Sequence, residues 1–155
     1  MDIVVRPIQL TDHDGPAGLR ALRAAVAAEL ALERGGVLFL AEQAHRTYEA
    51  FQGPAADVLC EVAIANGALV GWSYTVVRTL ADGSSLATIE ELAVDAGARE
   101  IGAGEALLDS ALRWCRSQGC TGADSYALPG ARETKNFFET FGMKARLLTV
   151  HVDLD

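Results

Sequence analysis

Arg99-Glu100-Ile101-Gly102-Ala103-Gly104 joins a strand-like run at residues 88–94 to a helix-like run at residues 105–118. The first turn of a helix has backbone N–H groups without intrahelical partners, and the helix dipole adds partial positive charge there. A glycine-containing turn at this place predicts an anion site, with space for phosphate oxygens beside Gly102 and Gly104 and a fixed cation at Arg99. The same spacing also allows a tight strand-to-helix connection without a ligand.

The segments before and after this turn predict a mixed sheet. Residues 58–65 and 68–78 are β-rich and are separated by Asn66-Gly67, a pair suited to a type I′ hairpin turn. A third strand follows at residues 86–94, and a strand-helix-strand crossover then leads to a strand at residues 123–128. We therefore expect an α/β (α+β) fold with a mixed, mostly antiparallel central sheet and helices on both faces.

The ends of the chain predict the remaining elements. Apolar spacing and a capping-box pattern beginning at Thr11 predict a first helix that runs to about Glu33. Alternation and turn signals predict an opening strand at residues 2–8, a short helix at 40–51, a last helix at 132–141 and a closing strand at 144–152.

Composition excludes several classes of protein. The 155 residues predict one domain, residues 1–155, and a net charge of -8 disfavours nucleic acid as a partner. The sequence has neither an apolar run of about 20 residues nor a secretory signal, which predicts a cytoplasmic protein without a membrane partner. The cysteines Cys60, Cys115 and Cys120 lack paired metal-ligand spacing, so we expect buried reduced thiols and no metal site.

The motifs, taken in chain order, resemble the GNAT superfamily of N-acetyltransferases. Its signature, Arg/Gln-x-x-Gly-x-Gly/Ala after a strand that ends in a hydrophobic residue, is similar to residues 99–104 following Val94. Further matches are Val70-Gly71, Gly119-Cys120 and residues 136–143. The resemblance implies acetyl-CoA as co-substrate. It also implies a slot for the pantetheine arm between two strands that splay apart. One of these strands ends at Val94, and the other runs over residues 123–128.

The resemblance also implies how the cofactor is held. Backbone groups of the strand before the turn bind the pantetheine arm, and amides of the turn bind the pyrophosphate. Packing of Leu92 and Val94 in the core is compatible with this role, because side chains and main chain act separately. The cofactor-binding residues implied in this way are Leu92, Ala93, Val94, Arg99, Glu100, Ile101, Gly102, Ala103, Gly104 and Phe138.

Glu90 and Glu91 are the candidate acid–base residues. Successive strand residues face opposite sides of a sheet, so both acids reach one side only if a bulge intervenes. The pair resembles the acidic pair of polyamine acetyltransferases in this superfamily. The resemblance implies that Glu90 is the base, often through water, and that Glu91 binds the substrate ammonium. Salt bridges between these acids and a surface arginine are the alternative.

The last helix departs from the family pattern. Phe138 lies where many members have a tyrosine that protonates the departing thiolate, and phenylalanine has no proton to donate. Tyr126 is our candidate substitute, with Tyr74 as a second, although packing in the core or at an interface would also explain Tyr126. Ala131 replaces an asparagine found in many members, which removes one expected pantetheine contact.

The function that these observations favour is acetyl transfer from acetyl-CoA to a primary amine, specifically a small cationic amine. One alternative is acetylation of a protein N-terminus or lysine. Another is a non-catalytic acyl-CoA sensor, which Phe138 favours, and a third is an interaction protein that kept only the fold. The apolar closing strand, together with the habit of the family, indicates a homodimer.

Overall fold

The computed structural model describes residues 2–43 and 55–155, which form a five-stranded sheet in the order β1-β2-β3-β4-β5. The first four strands are antiparallel neighbours, and β5 is parallel to β4. The strands are β1 (Ile3–Pro7), β2 (Val58–Ala65), β3 (Ala68–Thr79), β4 (Ser85–Val94) and β5 (Gly122–Asp124). The helices are α1 (Leu19–Leu30), α2 (Gly36–Gln43), α3 (Ala103–Ser117) and α4 (Arg132–Thr140). The expected mixed sheet is confirmed.

Helices cover both faces of the sheet because β2 and β3 direct apolar side chains to each side. On one face, Leu19, Leu22 and Val26 of α1 pack against Cys60, Val62 and Trp72. On the other face, Leu107 of α3 packs with Ala63, and Leu108 packs with Ile89 and the phenylalanines of α4. The core therefore lies in two layers around the sheet. No helix among residues 2–43 and 55–155 is long and apolar enough to cross a membrane.

The hairpin between β2 and β3 confirms the predicted turn. Asn66 and Gly67 both have positive φ, 49° and 81°, as a type I′ turn requires. The turn brings Ala65 opposite Ala68 and sets the register of the central strands.

The predicted cap of the first helix at Thr11 is wrong. Asp12 instead closes a short 3-10 helix, Leu10–Asp12, and its carboxylate accepts two hydrogen bonds of 2.8 Å from Arg6. Asp14, the acid of the predicted capping box, accepts a 2.8 Å hydrogen bond from Arg20 Nε, and α1 begins only at Leu19. The chain folds tightly just before it, where a Cβ on Gly18 would lie 2.4 Å from the carbonyl oxygen of Asp14. Part of the helix predicted at residues 40–51 lies outside the described residues.

Two predictions near the C-terminus are also wrong. The strand predicted at residues 123–128 pairs only over Gly122–Asp124, and residues 144–152 form no strand. A strand needs a ladder partner, and the sheet of the described chain ends at β5. A short 3-10 helix, Ala96–Ile101, also precedes α3 and was not predicted.

Glu61 is a buried carboxylate that we expect to make stability depend on pH. Its side chain faces α3 and accepts a 2.7 Å hydrogen bond from Ser110 Oγ. Burial raises the pKa of Glu61 above 4.5, and the bond from Ser110 offsets this in part. The folded pKa lies above the unfolded one, so this contribution to stability is present at low pH and is lost as pH rises through the folded pKa.

Glu61→Gln removes the buried charge, and we expect it to raise the free energy of unfolding by about 0.5–2 kcal/mol at neutral pH. Ser110→Ala is the matched control, because it removes the bond that stabilises the ionised form and should act in the opposite direction. Urea unfolding at mildly acidic and mildly alkaline pH measures both effects. A Glu61→Gln effect of equal size at both pH values would contradict the assignment.

Candidate functional site

β4 and β5 separate partway along their length. Their parallel ladder ends at the pair Thr88 and Asp124. One residue further, Ser125 Oγ donates a 2.8 Å hydrogen bond to the carbonyl oxygen of Ile89. Beyond this bond, β4 has no ladder partner on its outer side anywhere in the described chain. The separation leaves the slot predicted between the strand ending at Val94 and residues 123–128.

Backbone groups of Leu92 and Val94 face this slot. The N–H of Asp95 donates to the carbonyl oxygen of Val70 at 2.7 Å, so Asp95 belongs to a hydrogen-bonded pair with β3. In an antiparallel ladder such pairs alternate with non-hydrogen-bonded ones. The main chain of Ala93 is therefore turned towards β3, and the main chains of Leu92 and Val94 point outward.

Gly71 on β3 permits the close approach of the two strands at this point. A Cβ on Gly71 would lie 2.8 Å from the carbonyl oxygen of Ala93 and 3.1 Å from a methyl of Leu107. This contact agrees with the inward direction of the Ala93 carbonyl. Of the three predicted contacts on β4, Ala93 is thus the one whose main chain does not face the slot.

A β-bulge in β4 brings the two acids to one side of the sheet. Tyr74 lies opposite Glu91, but Thr75 lies opposite Ile89, so Glu90 is the extra residue. Ile89 packs against α3, and the alternation of side chains directs Glu90 to the other face. Glu91 reaches that same face, where its Oε1 accepts a 3.2 Å hydrogen bond from Trp72 Nε1. The condition for both acids to share a side is therefore met.

A cavity of about 220 Å³ lies on this face of the bulge. Gln43 Nε2 of α2 donates to the carbonyl oxygen of Glu90 at 3.1 Å, which holds α2 over the bulge. The polar residues of its wall come from β4 and both flanking helices. The lining residues are Arg23, Val26, Ala27, Leu30, Leu40, Gln43, Trp72 and Glu91.

The predicted anion site lies at the other end of the slot. Gly102 has φ 89°, a left-handed conformation that favours glycine, and connects the 3-10 helix Ala96–Ile101 to α3. The N–H of Ala106 donates to the carbonyl oxygen of Gly102 at 3.0 Å. Among the described residues, no side chain forms a hydrogen-bonded cap at the N-terminus of α3. The first N–H groups of α3, Ala103 to Glu105, are therefore directed outward for an anion.

Arg99 provides the predicted cation at the rim of this site. Its Nε donates to the carbonyl oxygen of Val94 at 3.3 Å, and its Nη2 contacts Glu29 of α1 at 2.7 Å. Both side chains of the ion pair are 45% exposed, so the pair contributes little to stability and can rearrange around an anion.

Gly104 has a structural role that sequence reasoning missed. A Cβ at Gly104 would lie 3.3 Å from the ring of Phe137, so glycine lets α4 pack on the first turn of α3. Phe137 is in edge contact with Phe138, and both lie beside the cluster around Ile89 and Leu108. The helical spacing of Phe137, Phe138 and Phe141 in the sequence could have indicated this packing, because it predicts an apolar face on the last helix. The predicted contact between Phe138 and the cofactor stays a prediction.

The two candidate proton donors lie in different places. Tyr74 is the β3 residue directly opposite Glu91, within the bulge. Tyr126 follows the end of β5, is 51% exposed, and makes an edge contact with Phe39 of α2 at 6.0 Å. The structure therefore places the second candidate, Tyr74, beside the acid pair.

The three cysteines do not supply a nucleophile. Burial raises the pKa of Cys60 to about 12 and that of Cys115 to about 11, and it also raises the pKa of Cys120. A thiol is reactive as the thiolate, so burial disfavours the reactive form of these cysteines. Among residues 2–43 and 55–155, no group of three His, Cys, Asp or Glu side chains could hold a metal ion.

A family model and several solved structures match this chain. The model described as Acetyltransferase (GNAT) family matches residues 24–143, which contain the slot, the bulge and the anion site. No curated protein matches the chain.

Similar solved structures include an acetyltransferase from Trypanosoma brucei, with 21% identity, a TM-score of 0.65 and coverage of 99% of this chain and 100% of that one. Glucosamine-6-phosphate N-acetyltransferase from Arabidopsis thaliana has 17% identity, a TM-score of 0.69 and coverage of 100% of both chains. AAC(6')-Iy, in complex with the bisubstrate analog CoA-S-monomethyl-acetylneamine, has 17% identity, a TM-score of 0.69 and coverage of 100% of this chain and 99% of that one. At these identities the likeness shows the fold.

Proposed function

Because this chain belongs to the GNAT acetyltransferase family, we propose that it transfers an acetyl group from acetyl-CoA to a small primary amine. The observation that carries the proposal is the arrangement along β4. An outward-facing backbone edge at Leu92 and Val94 lies between an anion site at the start of α3 and an acid-lined cavity at the bulge. A long molecule with a diphosphate at one end and a thioester at the other matches this order.

The main chain supplies most of the proposed cofactor contacts. The N–H groups of Ala103 to Glu105 and the guanidinium of Arg99 suit the diphosphate. The peptide-like pantetheine arm can pair with Leu92 and Val94 as an added strand would. This pairing would bring the thioester carbonyl to the bulge, where the cavity lies.

The proposed reaction is a direct transfer between two bound substrates. Glu90, acting directly or through a water molecule, takes a proton from the substrate ammonium, and Glu91 holds the amine in the cavity. The amine nitrogen then forms a bond to the thioester carbon, the carbon–sulfur bond breaks, and the nitrogen loses its remaining extra proton to solvent to give the amide. The departing thiolate takes a proton from Tyr74, Tyr126 or solvent. Solvent can serve because the pKa of a thiol, about 8.5, makes the thiolate a good leaving group.

The volume and the lining of the cavity favour a small-molecule amine as acceptor over a protein. Its volume of about 220 Å³ suits a small molecule, and its wall contains both the carboxylate of Glu91 and the guanidinium of Arg23. Two of the similar structures are a glucosamine-6-phosphate N-acetyltransferase and AAC(6')-Iy in complex with the bisubstrate analog CoA-S-monomethyl-acetylneamine. An amine held by Glu91 would be cationic before it loses its proton.

Calorimetric titration with acetyl-CoA, followed by a screen of amines read out as free thiol release, tests the proposal. We expect a micromolar dissociation constant and amine-dependent thiol release. Absence of acetyl-CoA binding would overturn the proposal. Binding without transfer to any amine would favour the acyl-CoA sensor, the second candidate, which the lack of a hydroxyl at Phe138 supports.

A further inference from the structure

Arg23 is a charged residue on the side of α1 that faces the sheet. Leu22 and Val26, the buried residues on either side of it, pack in the core. Arg23 itself is half-buried and lines the cavity at the bulge, as Val26 does one turn later. Arginine is rarely placed against the interior of a protein unless an anion compensates its charge. The position of Arg23 therefore indicates an anion in or beside the cavity.

The other two charged residues of α1 lie on the surface. Arg20 Nε donates to Asp14 at 2.8 Å, and both side chains are more than half exposed. Glu29 contacts Arg99 at 2.7 Å, at the rim of the anion site. Arg23 lies one turn after Arg20 but on the inner side of the helix, so it presents its charge to the cavity.

A row of residues across the sheet relates Arg23 to the acid pair. Cys60 of β2 lies opposite Tyr74 of β3, which lies opposite Glu91 of β4. Directly opposite residues of antiparallel strands point to the same face, here the face that α1 covers. Burial raises the pKa of the Cys60 thiol to about 12, and among the charges around it Glu91 raises the pKa and Arg23 lowers it. Both charges therefore lie close to this row, on one side of the sheet.

The cavity thus combines a cation and an anion in one wall. The planar fork of a guanidinium matches a carboxylate or a phosphate, which it can bind through two parallel hydrogen bonds. The carboxylate of Glu91 matches an ammonium. Apart from Gln43, the rest of the lining is apolar or aromatic, which suits a short carbon skeleton. A small molecule with an ammonium at one end and an anionic group at the other complements this lining.

We propose that the acceptor amine also carries an anionic group, a carboxylate or a phosphate, and that Arg23 binds this group. The inference rests on the proposed function, in which Glu91 holds the substrate ammonium. With the ammonium at Glu91, the anionic end of the molecule is directed to α1. A diamine or polyamine would instead bring a second ammonium into the cavity that contains the guanidinium of Arg23, where like charges repel. The cavity therefore selects zwitterionic amines over polyamines, although the acid pair resembles that of polyamine acetyltransferases.

Acetyl transfer to a matched series of amines tests the inference. The members have the same chain length, and the far end is a carboxylate, a phosphonate, a neutral amide or a second ammonium. We expect kcat/KM with an anionic member to exceed that with the amide by about tenfold or more, with the diamine the poorest. The better of the two anionic members identifies the group. Equal values for anionic and neutral members, or a preference for the diamine, overturns the inference and leaves the proposed function standing, whereas transfer to none of many amines contradicts the proposed function.

Two variants of α1 assign the preference to one side chain. Arg23→Gln should bring the ratio of kcat/KM for the anionic and neutral amines close to one, mainly through the KM of the anionic amine. Arg20→Gln, one turn earlier and on the surface, is the matched control and should keep the wild-type ratio. A ratio compares two amines on one protein, so a general loss of activity does not change it. If Arg23→Gln lowers kcat/KM equally for both amines, Arg23 only balances Glu91 within the protein, and the inference is wrong.

A second measurement does not depend on acetyl transfer. ¹⁵N spectra of the arginine side chains are recorded on the wild-type chain with coenzyme A and a saturating amount of the carboxylate amine or the amide. Binding of the anion predicts a shift of the Arg23 Nε–H signal with the carboxylate amine and none of that size with the amide. Arg23→Lys keeps the positive charge and identifies this signal by its absence. An Arg23 signal that responds alike to both amines, or to neither, contradicts the proposed contact.

Discussion

Glu90→Gln is expected to lower kcat for acetyl transfer by about 10²–10⁴-fold, the contribution typical of a general base. The substitution keeps the size of the side chain and the main chain of the bulge, including the bond from Gln43 to the Glu90 carbonyl. The amide cannot accept a proton, so the amine reaches the thioester in its charged, unreactive form. Affinity for acetyl-CoA should stay within about twofold, because the proposed cofactor contacts are made by main chain and Arg99.

Glu91→Gln is the matched control on the adjacent residue. Glu91 lines the cavity and accepts a bond from Trp72, so its loss should raise the KM of the amine far more than it lowers kcat. Steady-state kinetics of both variants with one amine at one pH separates the two roles. Equal effects of both substitutions on kcat would remove the assignment of separate roles.

Gly102→Ala is expected to weaken acetyl-CoA binding by about tenfold or more, equal to about 1.4 kcal/mol. Gly102 has φ 89°, and a side chain in the left-handed region costs roughly 1–2 kcal/mol. Relaxation of that strain would turn the first N–H groups of α3 away from their present direction. Those groups are the proposed diphosphate ligands, so affinity should fall together with stability.

Gly83→Ala separates the two effects. Gly83 has φ 86° with open space around it, and it lies in the turn between β3 and β4, at the other end of β4 from the anion site. Its substitution should cost a similar free energy of unfolding and leave acetyl-CoA affinity unchanged. Calorimetry and thermal unfolding on both variants measure this. Comparable affinities for the two variants would place the diphosphate away from Gly102.

Local patterns predicted much of the fold correctly. Asn66-Gly67 identified the hairpin because a type I′ turn needs positive φ at two successive residues. The apolar spacing of α3 placed the helix within two residues of its observed start and one residue of its observed end. The motif at residues 99–104 indicated the family, which the match over residues 24–143 then established.

Predictions that depended on distant partners were less accurate. The capping-box pattern pairs Thr11 with Asp14, but Asp14 accepts a 2.8 Å hydrogen bond from Arg20 of α1, and the local pattern does not show that partner. Residues 144–152 alternate like a strand, yet in the described chain they form no ladder with β5, the edge strand of the sheet. Gly104 suggested space for a ligand, and the structure adds a helix contact with Phe137.

The amino-acid order alone thus determined the turns, the helical faces and the glycine-rich connection, because each depends on residues a few positions apart. The tertiary structure decided which backbone groups of β4 face the slot, and it placed Glu90 and Glu91 on one side of the sheet. Both depend on the register between β3 and β4, where the shift between Tyr74 and Thr75 makes room for an extra residue. Register is a property of two strands together, so neither strand's sequence specifies it by itself.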